Sequence, residues 1–283
     1  MNQVISFEDI EVGSFTPMTS RLASRDFFRV VSWNINRGCH FDEILEFLTS
    51  ANADLILLQE CDRNAVRSRR RNIARDIAQY LEMSYVFGIE FLELSQGNGT
   101  APAHHGQATL CRLPLLNPRV LRFTHQSTFW KPRWFIPSIS RLQRRLGGRM
   151  AMVSEITLNQ MTMAIYNLHL ESRSSEQLRC RQMCEALEDS RRYGPNIPIV
   201  MAGDFNFDVS QSIASAAIEV AGFRSAFANG QPEVSTQRRL LRNSRAIDSI
   251  LVAGQLVSAD PRIHPSARGS DHYPLSLTVV SPE

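Results

Sequence analysis

The sequence predicts an α/β protein in which two β-sheets pack face to face with helices outside. Three observations predict it. Apolar runs of strand length outnumber amphipathic helical segments. The strands come both as hairpins and in strand–helix alternation, whereas a simple doubly wound sheet would alternate throughout. No linker and no internal repeat divides the chain. Its 283 residues, 43% hydrophobic and 21% charged, suffice for one large core.

In chain order, residues 1–26 show no clear period and are expected to form an N-terminal arm ahead of a single domain over 27–283. Phe28 to Trp33 reads as a strand. Asp42 to Ala51 reads as a helix, with Ile44, Leu45, Phe47 and Leu48 on its apolar side. Leu55 to Leu58 is a buried strand, Arg67 to Leu81 a helix with a basic start, and Tyr85 to Gly88 a short strand. Gly106 to Cys111 and Leu115 to Phe123 read as a strand pair around Leu113-Pro114. Phe123 to Gly148 is the longest irregular insertion, and a loop of that length in a compact domain carries function or is disordered. Arg149 to Thr157 and Met161 to Leu168 read as a hairpin closed near Asn159. Ser174 to Arg191 is a helix that stops before Gly194-Pro195. Ile197 to Met201, Ala246 to Val252 and Leu275 to Val280 are strands, and Ser212 to Val220 is a helix.

Composition narrows the function classes. No apolar run approaches the roughly 20 residues of a membrane span, and the acidic start (Glu8, Asp9, Glu11) does not read as a signal peptide. Cys39, Cys61, Cys111, Cys180 and Cys184 are odd in number and lack zinc-like pairing; reduced thiols and a cytoplasmic protein are expected. The net charge of +3 hides an asymmetry: no acidic residue lies between Glu93 and Glu155, a stretch carrying Arg112, Arg119, Arg122, Lys131, Arg133, Arg141, Arg144, Arg145 and Arg149. Lys131 is the sole lysine. Arginine forks onto phosphate oxygens better than lysine does, although a chain-wide arginine bias also follows from base composition.

Candidate chemistry gathers at strand ends. Asn34 sits at the end of the first strand, within Ser32 to Gly38, where it offers an amide to a metal-bound water or a phosphate oxygen; an ordinary turn reads the same way. Glu60 closes the run from Leu55, either facing solvent or ligating a metal. Asp204 and Asn206 follow the run Ile197 to Ala202, two apart, so an extended backbone would put them on one face. Asp248 lies inside an apolar strand pattern, and a carboxylate there needs a partner. His272, beside Asp271, is the natural one. Such pairing fixes the imidazole tautomer and raises its basicity, as a general base requires. His169 lies just past another strand, where it either contacts a phosphate or packs as a structural histidine.

Together these units resemble the endonuclease/exonuclease/phosphatase superfamily. The matching pieces are Ser32–Gly38, Leu57–Glu60, Gly106–Pro114, Asn167–His169, Gly203–Asn206, Ile247–Ser249 and Ser270–His272, in the family's order. The resemblance implies a four-layer α/β sandwich, with two packed mixed β-sheets flanked by helices. It implies a Mg²⁺-dependent phosphoester hydrolase, with Mn²⁺ as a possible substitute. Glu60 becomes the principal metal ligand, with Asn34 and Asp271 beside the ion. His272 becomes the base that activates water, oriented by Asp248. Asp204 and Asn206 position the nucleophile, His169 contacts the scissile phosphate, and Tyr166 supports it. Asn36 stands where some relatives have an aspartate, which weakens a second-metal site.

The superfamily fixes the reaction type and leaves the substrate open. His169 to Ser172 is similar to the His-Leu-Glu-Ser signature of the tyrosyl-DNA phosphodiesterase branch. In the insertion, Phe129, Trp130, Trp134 and Phe135 interleave with Arg133, Arg141, Arg144 and Arg145, which suits stacking and phosphate contact with nucleic acid. Arg67 to Arg71 either extends that track or forms a solvated helix face. The same residues, with Ile136, Ile139, Leu142 and Leu146, also fit an interfacial membrane hook for a lipid-directed enzyme. A non-catalytic binding relative would require lost ligands, and Glu60, Asp204, Asp248, Asp271 and His272 are all present. No obligate protein partner is expected.

Overall fold

A computed structural model describes residues 6–17, 27–98, 101–130, 144–158, 160–227, 236–237 and 246–280. Among them, fourteen strands form two sheets. The first runs in the order β1 (Ile10–Ser14), β4 (Ser84–Asn98), β5 (Ala101–Cys111), β3 (Leu55–Arg63), β2 (Phe27–Arg37), β14 (Leu275–Val280), β13 (Val257–Ile263), with β7 (Arg145–Gly147) also paired to β4. The second runs β11 (Arg224–Ser225), β12 (Asp248–Ala253), β10 (Ile199–Asp204), β9 (Met161–His169), β8 (Met150–Leu158), β6 (Leu116–Arg122). Each sheet holds one parallel pair, β2 with β3 and β9 with β10; the other pairings are antiparallel.

Three apolar layers make the sandwich. Phe28, Val30, Leu55, Leu57, Ile165, Val200 and Ile250 lie between the sheets. Val31, Trp33, Ile56 and Leu58 face helices α1 (Phe41–Ala51) and α2 (Ile73–Tyr80). Tyr166, Leu168, Met201 and Leu251 face α3 (Glu176–Ser190) and α4 (Ser215–Val220). The four-layer α/β architecture is therefore present, set by a two-residue period that splits each strand between two cores. Asn72 caps α2 by accepting from the Arg75 amide at 3.2 Å, and Ser175 caps α3 by accepting from the Leu178 amide at 3.4 Å.

Three expectations need correction, and one strand went unread in the sequence. Residues 10–14 are an edge strand on β4, so the N-terminal segment is not wholly an arm outside the domain. The segment from Arg67 is a 3-10 turn over Val66–Ser68 with left-handed Arg69 and Arg70 after it, and the helix begins only at Ile73. The strands on either side of Leu113-Pro114 do not pair: β5 and β6 lie in different sheets, and this dipeptide is a crossover between them. Strand β13 carries Pro261 and a left-handed Asp260 at a register shift, which hid its period in the sequence.

Candidate active site

The inward face of the sandwich is apolar for most of its length and turns polar at one end. On β2, Phe28 and Val30 give way to Ser32 and Asn34; on β3, Leu55 and Leu57 give way to Gln59. On β9, Met163 and Ile165 give way to Asn167 and His169; on β10, Val200 and Ala202 give way to Asp204. Strand β12 runs the other way and begins with Asp248. The registers align these ends: Asn34 opposite Gln59, Asp204 opposite His169 on one side and Asp248 on the other. Gln59 Nε2 donates to Asn167 Oδ1 at 2.8 Å, bolting the two sheets together just behind the site.

Asp204 is the hub. Its Oδ2 accepts from Asn34 Nδ2 at 3.0 Å and lies 3.6 Å from His169 Nε2 and 3.8 Å from His272 Nε2. Its Oδ1 accepts from the Asn206 amide at 3.0 Å. Asn206 has φ 56°, so the backbone turns after Asp204 and the two side chains do not share an extended face. The Asn206 Nδ2 instead donates to the Leu170 carbonyl at 3.1 Å. Gly203, at φ 149°, lets β10 close on β9; a Cβ there would stand 1.8 Å from the Leu168 carbonyl oxygen.

His272 and Asp248 pair as the sequence predicts, Nδ1 lying 2.9 Å from Oδ2 and 3.1 Å from Oδ1. The Thr236 hydroxyl accepts from the Ile247 and Asp248 amides, and the Gln237 amide nitrogen lies 3.3 Å from His272 Nε2. The His272 carbonyl accepts from Trp33 Nε1 at 2.9 Å, and Ser270 Oγ donates to the Asn34 carbonyl at 2.6 Å. The loop carrying Asp271 is thereby clamped to β2, and the Asp271 side chain is exposed. Burial opposes a charged imidazole, but Asp248 and Asp204 outweigh it and push His272 up to about 10.

Glu60 sits where two bulges coincide. The β2–β3 register shifts between Asn34 and Arg37, and the β3–β5 register shifts between Leu58 and Cys61. Asn36, Arg37 and Glu60 all take positive φ (44°, 71° and 56°), a conformation costly for non-glycine residues and concentrated at functional sites. Burial raises the Glu60 carboxyl, yet the basic groups around it, Arg37 and Arg149 among them, hold it far below the usual carboxylate range. Among the described residues its carboxylate accepts no hydrogen bond, the nearest cation being Arg37 Nε at 3.9 Å, and its side chain is 20% exposed.

The donor set fits a hard divalent cation. Among the described residues, the Glu60 carboxylate accepts no hydrogen bond, Asn34 Oδ1 accepts from the Asn36 amide alone, and Asp204 adds a carboxylate joined to Asn34 through Oδ2. Asp204, Asp248 and His272 also bring one ligand atom each within 4.8 Å of one another. In that trio His272 Nδ1 and Asp248 are spent on each other, so it reads as proton-handling machinery rather than a second ion site.

Other sequence expectations fare differently. Tyr166 points away from the site into the layer beneath α3, where its hydroxyl donates to Asp189 Oδ2 at 2.6 Å. Strand alternation dictates this, because Asn167 and His169 occupy the inward face. Trp130 is 6% exposed; its indole donates to Glu171 Oε2 at 2.7 Å and its ring lies 4.8 Å from Phe91. It is a buried anchor, so neither a stacking platform nor a membrane hook can use it as placed. Arg145 pairs with Glu93 at 2.8 Å and lies over Phe91 and Trp130. Arg67 is likewise consumed, by Asp62 at 2.6 Å and Glu93 at 3.0 Å. Arg144 is exposed, and Arg133, Trp134 and Arg141 lie outside the described residues.

Two residues that sequence reasoning missed are Glu90 and Arg149. Glu90 Oε2 lies 3.4 Å from His169 Nδ1 and 3.2 Å from Arg149. Burial raises the Glu90 carboxyl, but the Arg149 guanidinium beside it holds it down to about 2. Its signal was available: like Asp248, Glu90 is a carboxylate inside an apolar strand pattern.

Known proteins share this fold. The chain resembles the human Nocturnin catalytic domain, solved with a bound sulfate anion, at 18% identity over 96% of this chain and 97% of that one, TM-score 0.68. A Bacteroides vulgatus endonuclease/exonuclease/phosphatase matches at 15% identity over 91% of this chain and 100% of that one, TM-score 0.67. Caenorhabditis elegans TDP2 matches at 17% identity over 90% and 98%, TM-score 0.61. These likenesses establish the fold. No curated protein matches the chain. The family profile described as Endonuclease/Exonuclease/phosphatase matches residues 31–272, most of the chain. With that match, the chain belongs to the Endonuclease/Exonuclease/phosphatase family, whose members hydrolyse phosphoester bonds and generally use divalent metal ions.

Proposed function

We propose that this protein is a Mg²⁺-dependent phosphodiesterase acting on nucleic acid, with Mn²⁺ able to substitute. The observation that carries the hydrolase reading is the convergence on Asp204 of Asn34, His169 and the Asp248-paired His272, beside a Glu60 carboxylate left without a hydrogen bond among the described residues. Glu60 and Asn34 would hold the cation, with Asp271 near it. When bound, the ion supplies positive charge that polarises the phosphoryl oxygens. Asp248 holds His272 with Nε2 toward Asp204; raised to about 10, the metal-free ring is charged at neutral pH, and a cation bound beside it would lower that value and free Nε2 to take a proton from water. Asp204 and Asn34 orient that water, and His169 meets charge developing on phosphorus oxygens.

Support for nucleic acid comes from exposed aromatic and basic side chains. Phe129 is 44% exposed with the Arg173 guanidinium 5.0 Å from its ring centre, a pairing suited to stacking a base next to a phosphate contact. Arg69, Arg70 and Arg144 are exposed and add positive charge.

The test is Mg²⁺-dependent hydrolysis across single- and double-stranded DNA, abasic DNA, 5′-phosphotyrosyl DNA, sphingomyelin vesicles and phosphoinositides, with His272→Ala as the blank. Cleavage of a nucleic acid that disappears in the blank is the expected result. Turnover on vesicles alone would transfer the same site to a lipid-directed enzyme. Glu60→Ala hydrolysing at the wild-type rate would overturn the metal assignment.

A further inference from the structure

Arg149 lies just ahead of β8 and is 2% exposed. Its guanidinium is held from several sides. Nη1 lies 3.2 Å from Glu90 Oε2, Nη2 donates to Ser172 Oγ at 3.1 Å, and the group lies over the Phe91 and Trp130 rings at 5.3 and 6.0 Å. From that fixed position Nη1 reaches His169 Nδ1 at 2.8 Å.

A guanidinium is a donor only and stays charged. The ring nitrogen facing it must therefore accept, which puts the lone pair of His169 on Nδ1. A neutral imidazole then carries its proton on Nε2, the atom directed at Asp204. Glu90, which would favour a proton on Nδ1, lies farther off at 3.4 Å and is already occupied by Arg149 and by Gln107 at 3.0 Å.

We propose that Arg149 is a positioning residue that fixes His169 as the neutral Nε2–H tautomer. His169 thus presents a hydrogen-bond donor, not a lone pair, beside Asp204. This suits recognition of a phosphoryl oxygen and excludes His169 from taking a proton from water at Nε2. That leaves His272 as the base. The kinetic consequence rests on the hydrolase reading above; the tautomer does not.

The test is a long-range ¹H–¹⁵N spectrum of the imidazoles in ¹⁵N-labelled protein, with His169→Gln to assign the signals. The expected wild-type pattern is Nε2 protonated and Nδ1 bare. Arg149→Met should release the ring to an Nδ1–H form facing Glu90, and Arg149→Lys, which keeps a donor, should restore the wild-type pattern. On the best substrate from the panel, Arg149→Met should lower kcat about 10- to 100-fold with KM changed by less than about twofold. A wild-type spectrum with Nδ1 protonated would overturn the proposal even if Arg149→Met does not fold. An unchanged His169 pattern in Arg149→Met would also overturn it. The spectrum needs no substrate, so an inactive protein showing the expected pattern would sink the hydrolase reading and leave the tautomer standing.

Discussion

His272 Nδ1 lies 2.9 Å from Asp248 Oδ2, although Asp248 belongs to one sheet of the sandwich and His272 to the loop that leads into the other. Asp248 opens β12 in one sheet, and His272 precedes β14 in the other. The pair therefore spans the seam between the sheets, and its geometry depends on their packing. Asp248→Asn keeps the shape but offers an amide where a carboxylate held the Nδ1 proton. The expected loss is about 10²- to 10⁴-fold in kcat. Steady-state hydrolysis, with circular dichroism to show an intact fold, checks it.

The elevated His272 value makes metal-free stability depend on pH. Its folded value is raised above the unfolded 6.5, so its contribution is full below about pH 6.5 and is lost as pH rises through about 10. The contribution is on the order of a few kcal/mol. Urea unfolding in EDTA should show wild type losing stability between pH 7 and 10 more steeply than His272→Gln. Parallel curves for the two proteins would refute the assignment.

Gly203 tests the backbone beneath the hub. Any side chain would collide with the Leu168 carbonyl, which cannot move without breaking the β9–β10 pairing. Gly203→Ala should destabilise by about 2–4 kcal/mol and should displace Asp204. Chemical denaturation checks the first effect, and a lower kcat in the folded fraction checks the second.

Trp130 and Phe129, adjacent in sequence, should separate stability from binding. Trp130→Phe removes the donor to Glu171 and should cost about 1–3 kcal/mol with nucleic-acid affinity largely kept. Phe129→Ala, on an exposed ring, should leave the melting temperature nearly unchanged. It should weaken single-stranded DNA by about 1–3 kcal/mol. Fluorescence anisotropy and thermal unfolding measure both; the reverse pattern would show that Phe129 is not a nucleic-acid contact.

The chain by itself determined the two-sheet architecture and most of the polar cluster. Both are written in local order: a two-residue period, and a strand end where the apolar alternation stops. Asp248, a carboxylate in an apolar strand, demanded a partner before any partner was visible, and Glu60 closed an apolar run. Long-range placement was decided only in three dimensions. Tyr166 and His169 are three residues apart, and strand parity sends one under α3 and the other into the site. Trp130, Arg145 and Arg67 look in sequence like an open basic-aromatic track, but Glu171, Glu93 and Asp62 draw them inward. A buried ion pair requires partners brought from distant strands, and sequence alone does not show which charges will meet. Arg149 is the sharpest case: one more arginine in a basic stretch until the fold sets it 2.8 Å from His169.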